Sequence, residues 1–305
     1  EIIHGKSGFD VIIGNPPYVE YSKVKKIYRI DHYQTIQSGN IFAQFIERAR
    51  VISHNNTQIG WIVPISSVCT DRTSSLQKFY RNEYNSIISS FDVFPARIFE
   101  GPAQRVAILF FQYNKNNKSF YVSKYYRWFQ QERPCLVKNI SFINNLNFNN
   151  IGWTARINKS IEINILNKLA PQAKLETYFT KKSTSPIFVH RIINNFIKAI
   201  DFKPYFKRQD GTITHSDDFK LLHTSLDNKH IIISLLNSNL FYWYWRIHGD
   251  GFHCGFKDIN KFSCSIHTMN NNIKNELIDI SLRLNENFNI NSEIRVRNQK
   301  KTGRV

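Results

Sequence analysis

The 305-residue chain predicts an α/β first part followed by a mixed α+β second part. Three features carry this expectation. Short apolar runs alternate with segments of helical spacing up to about residue 113, and the first of those runs ends abruptly in "NPPY". Beyond about residue 125 the chain turns polar and asparagine-rich, with fewer periodic runs. That shift predicts two domains, residues 1–125 and 126–305.

The elements follow in order. "FDVIIG" (Phe9–Gly14) places Val11, Ile12 and Ile13 in a row, the pattern of a strand buried on both faces of a parallel sheet. Pro16 and Pro17 lack amide hydrogens and bias their predecessors toward extended backbone, so the ladder stops there. Open α/β sheets place ligands at the carboxyl ends of such strands. "NIFAQFIERARVIS" carries Ile41, Phe42, Phe45, Ile46, Ala49 and Ile52 near helical spacing, with Asn40 as the expected cap. "QIGWIVP" (residues 58–64) reads as a second buried strand, and residues 72–82 as another helix. Residues 86–94 and 105–113 are two strands joined through Pro95, Gly101 and Pro102, an expected antiparallel hairpin closing the sheet. In the second part, helices are expected at residues 159–169 and 229–249, and a basic, frayed tail at residues 295–304.

Charge bounds the partners. The net formal charge is +18, with 15 Lys/Arg against 9 Asp/Glu in residues 1–124 and 26 against 14 in the remainder. Such an excess points to a polyanion, nucleic acid first. No apolar run approaches membrane-spanning length and no signal-peptide pattern is present, so a soluble, cytoplasmic protein without a membrane partner is expected. Four scattered cysteines make no disulfide framework. His253, Cys254, Cys264 and His267 are metal-capable types, but there is no CxxC and the adjacent first pair makes poor ligands, so no metal is expected. The only methionine is Met269 and residue 1 is glutamate, from which a longer parent protein is expected.

The residues Asn15-Pro16-Pro17-Tyr18, placed after an apolar strand, make the chain resemble the carboxyl-terminal portion of a restriction-modification (type II/IIG) DNA adenine-N6 methyltransferase. The resemblance runs from residue 9 to about residue 265. "SGNIFAQFIERA", "GWIVPISSVCTD" and "RIFEGPAQRVAILFF" resemble, in order, the helix, strand and hairpin that follow the family's catalytic loop, and residues 232–262 the end of its target-recognition region. The resemblance implies a partial Rossmann-like methyltransferase sheet, later strands only, followed by a mixed α+β target-recognition domain. It also implies a role in restriction-modification or phage defence. The substrate would be double-stranded DNA and the methyl donor S-adenosylmethionine. Asn15, Pro16, Pro17 and Tyr18 would be the catalytic set. The Asn15 side-chain oxygen and the Pro16 carbonyl would accept the two amino hydrogens of adenine, while Tyr18 stacks on the extruded base. Phe42 and Phe45 are candidates for the same pocket, though such a helical pair is more often packing.

The chain departs from the family by omission. It carries no glycine-rich loop between a first strand and a helix; "GDGFHCGF" (residues 249–256) follows a helix and fails that context. Cofactor-binding residues are therefore expected upstream of Glu1, in a missing segment or chain, and the fragment alone is expected to be inactive and to expose part of its first strand. Two other readings stay open: a truncated, catalytically inactive DNA-binding remnant, and a methyltransferase acting on a protein or RNA amine. Cytosine-N4 chemistry fits less well with asparagine at position 15.

Overall fold

The computed structural model describes residues 8–27, 29–101, 103–113, 118–145, 153–208, 210–214 and 216–294. The expected tail at 295–304 lies outside them. The chain forms two compact units, residues 1–167 with 246–250, and residues 168–245 with 251–305.

The first unit contains β1 (Phe9–Gly14), α1 (Tyr21–Val24), α2 (Phe42–Val51), β2 (Ser53–Pro64), α3 (Ser66–Cys69), α4 (Ser74–Glu83), β3 (Tyr84–Phe91), β4 (Val106–Tyr113), β5 (Phe120–Tyr126) and β6 (Phe142–Asn144). α5 (Ser160–Leu169) follows at its end. The strands make one sheet in the order β1-β2-β4-β3-β5-β6. β1 and β2 are parallel, β4 runs antiparallel to both neighbours, and β3 and β5 are parallel. Four strands thus share one direction. The β3–β4 hairpin is present, but it does not close the sheet, because β5 and β6 extend it beyond β3. That extension also carries the first unit past the change in sequence character near residue 125.

The two sheet faces differ. α2 packs against β2 and α4 against β3, burying Ile59, Trp61, Val63, Leu109, Phe111 and Ile88. On the opposite face the loops after β3 and β5 cover Ile62 and Ile108 with a cluster around Phe91, Val106, Tyr126 and Trp128. The rest of that face is open. In register across five strands stand Ile13, Gly60, Phe110, Ile87 and Tyr121, flooring a depression of about 290 Å³. Ile13 is 82% exposed and Val11 56%, so the expectation of a strand buried on both faces is corrected. β1 is an edge strand here, and nothing described covers its outer face.

A buried carboxylate organises the carboxyl ends of these strands. Asp92, directly after β3, accepts hydrogen bonds from Arg105 Nε (3.1 Å), Arg127 Nε (3.0 Å), Arg246 Nη1 (2.9 Å) and the Val93 amide (2.8 Å). Arg246 also lies over the Tyr125 ring at 4.2 Å. Burial alone would raise the Asp92 pKa; the hydrogen bonds from Arg127 and Arg246, the Arg246 charge and the Val93 amide outweigh it and hold the carboxyl below its usual range.

The second unit carries β7 (Ile187–His190), β8 (Ala199–Ile200), β9 (Phe206–Lys207), β10 (Ile213–Thr214), β11 (Phe219–Leu222), α6 (Leu226–Leu236), α7 (Asn239–His248) as far as Trp245, α8 (Phe256–Lys261) and α9 (Asn271–Ile290), while Arg246 to His248 of α7 belong to the first unit. A three-stranded sheet, β11-β7-β8, stands apart from the two-stranded β9–β10 ribbon. The single helix expected at 229–249 is two, broken at Asn237-Ser238. The Asn237 side chain turns to Ala199, bonding its amide and carbonyl at 3.0 and 2.8 Å, and the Ser238 hydroxyl takes the Phe241 amide at 3.1 Å. Of the aromatic run, Tyr244 and Trp245 are buried, while Tyr242 and Trp243 are half-buried.

Asp92→Asn keeps the side chain's size but leaves the surrounding guanidiniums without their counter-charge, and should cost about 3–5 kcal/mol at pH 7. Because the folded pKa is depressed, the carboxylate's contribution is complete above its unfolded pKa of about 3.9 and is lost as pH falls through the lower folded value. Urea unfolding at several pH values should show the two proteins converging below about pH 4; equal stability at pH 7 would refute the role given to Asp92.

Candidate active site at the end of the first strand

The β1–β2 ladder ends at Gly14, opposite Trp61. Gly14 must be glycine for a packing reason, since a Cβ there would collide with the Trp61 ring. The chain then enters Asn15-Pro16-Pro17-Tyr18. Pro16 is buried, Asn15 and Pro17 are exposed, and Tyr18 is half-buried. The Tyr18 hydroxyl donates to the Ile62 carbonyl at 3.0 Å, which ties the ring to β2 just beyond the end of the ladder. Burial pushes the Tyr18 pKa up to about 12, so the phenol remains a donor throughout the neutral range. Among the described residues nothing is hydrogen-bonded to the Asn15 amide.

A second strip of chain fixes the exit of this turn. The Ile41 amide donates to the Val19 carbonyl (3.0 Å), the Tyr21 amide to the Gly39 carbonyl (2.9 Å), and Glu20 bridges with Asn40. Arg72 closes over both strips: its guanidinium pairs with the Glu20 carboxylate at 2.6 Å and fills the space where a Gly39 side chain would stand. Gly39 has φ of 66°, which glycine adopts at no steric cost. Asn40 does not cap α2, which corrects the expectation. Its backbone is committed to Glu20, Ile41 precedes the helix in helical geometry, and the Asn40 Oδ1 is buried without a partner. Trp61, Arg72 and Gly39 escape a motif search because they act through packing.

The structure brings Asn15 through Tyr18 together on one turn at the carboxyl end of a parallel strand. It separates the two candidate phenylalanines, with Phe42 fully buried in the core and Phe45 49% exposed. The His267 ring is engaged by the Tyr178 hydroxyl at 2.8 Å, and no group of three or more metal-capable side chains occurs among the described residues. Nor, among them, is any helix long and apolar enough to cross a membrane.

Residues 1–99 match the Eco57I restriction-modification methylase family. The chain is 28% identical over 141 residues to the Type II restriction enzyme and methyltransferase RM.Eco57I of Escherichia coli; the match covers 43% of this chain and 14% of that protein's length. In fold, 93% of the chain superposes on 50% of the Type IIL restriction-modification enzyme MmeI, a structure solved in complex with DNA, with a TM-score of 0.50 and 12% identity. The type IIG restriction endonuclease BpuSI gives a TM-score of 0.34 at 9% identity, over 90% of this chain and 49% of that one. The fold likeness to MmeI extends well beyond the family match and includes the second unit.

Tyr18→Phe should keep the ring and lose only the bond to Ile62, a loss of about 0.5–1.5 kcal/mol in stability. Gly14→Ala must displace Trp61 or the turn and should cost more, about 1–3 kcal/mol as an overpacking change. Thermal unfolding of both variants checks the order; a Gly14→Ala protein as stable as the parent would show that Trp61 does not constrain this turn.

Proposed function

We propose that this chain is the base-handling and DNA-recognition part of an adenine-N6-specific DNA methyltransferase of a restriction-modification system, using S-adenosylmethionine on double-stranded DNA. The observation that carries the reading is an exposed Asn15 amide, without a hydrogen-bond partner among the described residues, on a turn stiffened by two prolines and beside a tyrosine ring anchored to the sheet. The family match over residues 1–99 and the likeness to RM.Eco57I support the methyltransferase class.

The chemistry follows from the groups on the turn. The amino nitrogen of adenine is a poor nucleophile because its lone pair is delocalised into the ring. The Asn15 side-chain oxygen and the Pro16 carbonyl each accept one amino hydrogen, which favours a pyramidal nitrogen with its lone pair directed outward. The base reaches them only when extruded from the stack, and the Tyr18 ring supplies the face on which it rests. Two acceptors and a ring fit an aminopurine. They do not fit the carboxylate and ribose of the methyl donor, and the one glycine of the turn, Gly14, is already filled by Trp61. We assign the donor to a further α/β segment that pairs with the free edge of β1 and covers Ile13, Phe110, Ile87 and Tyr121, supplied by the same protein or by a separate chain.

In the protein that carries both parts, Asn15→Ala should lower single-turnover methylation of adenine by about a hundredfold or more, as removal of a transition-state hydrogen-bond partner does, while duplex affinity changes little. Near-normal turnover would sink the catalytic assignment. Loss of duplex binding together with turnover would place Asn15 in DNA recognition instead.

A further inference from the structure

The β9–β10 ribbon of the second unit is largely exposed. Its strands pair antiparallel, Lys207 opposite Ile213 and Phe206 opposite Thr214, and join no other strand. The Gly211 amide donates to the Arg208 carbonyl at 3.0 Å, and the Arg208 amide to the Thr212 carbonyl at 2.9 Å. Gly211 supplies the left-handed residue with φ of 87°, and Asp210 Oδ1 takes the Thr212 amide at 2.8 Å. These bonds hold a ribbon that buries little of its own surface.

A two-stranded ribbon of this length is marginal in water by itself, so its side chains are informative. Lys203, Lys207, Arg208 and Thr212 are exposed, as are Tyr205 at 54% and Ile213 at 61%. Neither Lys207 nor Arg208 has an ion-pair partner among the described residues. The ribbon therefore offers outward-facing cations interleaved with an aromatic and an aliphatic side chain, with the Asp210 carboxylate within electrostatic reach of Arg208.

We propose that this ribbon enters the major groove of duplex DNA and contributes to sequence reading, a role that rests on the function proposed above and goes beyond it. Strands about 4.8 Å apart with side chains on both edges match a groove about 12 Å wide, which admits a two-stranded ribbon. Arg208, at the turn, has the planar fork that pairs with two acceptors of one guanine edge. Lys203 and Lys207, as compact charges on flexible stems, contact the flanking phosphates. Ile213 and Tyr205 supply apolar surface to the groove floor and thymine methyl groups.

The test uses the full 305-residue chain and a fluorescein-labelled mixed-sequence duplex, with affinity read by anisotropy across a salt series. Lys207→Ala/Arg208→Ala should weaken binding about tenfold at low salt and reduce the slope of log affinity against log salt by about 1, for the one phosphate contact removed. Lys168→Ala, an exposed charge off the ribbon, should change affinity less than about twofold, the scale of a single surface charge. Selection from a random duplex pool by the parent and by Arg208→Lys separates reading from grip, since lysine keeps the charge and loses the fork: a relaxed or altered preference at one base pair is expected. Unchanged affinity, slope and preference in the ribbon variants, with the parent still binding duplex, overturn this inference alone. Equal losses from Lys168→Ala reduce the ribbon to general charge and overturn it as well. Tighter binding of single-stranded RNA than of duplex DNA overturns it too, and a parent chain that binds no nucleic acid fails the proposed function itself.

Discussion

The end of the β1–β2 ladder sets the terms for the first unit's site. A parallel strand can hand a side chain to a ligand only if its last residues stop pairing at a defined place and leave in a defined direction. Here the stop is triply determined, by the absence of amide hydrogens at Pro16 and Pro17, by Trp61 against Gly14, and by the Tyr18 hydroxyl on the Ile62 carbonyl. The strip from Gly39 to Ile41, clasped by Arg72 and Glu20, then holds the outgoing chain. Relaxing any one of these would leave Asn15 on a looser loop, where the two acceptors of the proposed chemistry could not be held at the spacing of an amino group.

That rigidity stands beside an unusual asymmetry in the sheet. One face is packed by helices, and the other is covered only where the loops after β3 and β5 fold back. The open part is mixed, with Gln58, Gln112 and Asn85 in register beside Val11. Beside that polar row, Ile13, Phe110, Ile87 and Tyr121 stand in register on four of the five strands, with Gly60 on the fifth, whereas sheets that face water normally alternate to polar residues on that side. That apolar row ends at β1, the edge strand of the described sheet, where the proposed further segment would pack. The buried Asp92 node belongs to the same logic from the opposite end: it draws arginines from three segments to one carboxylate where strands alone leave charged residues at the rim of a core.

How much of this was legible in the sequence depended on the kind of signal. The apolar runs and their order marked out β1, β2, β3 and β4, because a strand's hydrophobic pattern is local. Burial was not local: Val11 and Ile13 look like core, and whether a strand is central or at an edge is decided by neighbours far along the chain. Asn40 carried a helix-cap signal, and tertiary pairing with Glu20 overrode it. The break at Asn237-Ser238 was hidden by continuous apolar spacing on both sides, and only the Ala199 backbone reveals why asparagine stands there. Of the candidate site, the turn itself was readable from four residues. Trp61, Gly39 and Arg72 were not, since a residue that shapes a loop by occupying space has no sequence pattern of its own.

The choice of acceptors on the turn also fits the chain's charge. A carboxylate at position 15 would offer stronger acceptance than an amide, but it would titrate and would repel the phosphates that an excess of cations in both parts of the chain is suited to attract. In the proposed role, an asparagine oxygen and a proline carbonyl, neutral at every pH, would accept hydrogen bonds from an exocyclic amine without opposing the polyanion that carries it. The price is weaker acceptance by each group, and geometry makes up the difference: two modest acceptors held rigidly orient a lone pair better than one strong acceptor on a mobile side chain. The fixed exit from β1, the paired prolines and the anchored tyrosine are what such neutral chemistry requires of a fold, and a basic surface elsewhere on the chain can then supply affinity without altering the chemistry at the turn.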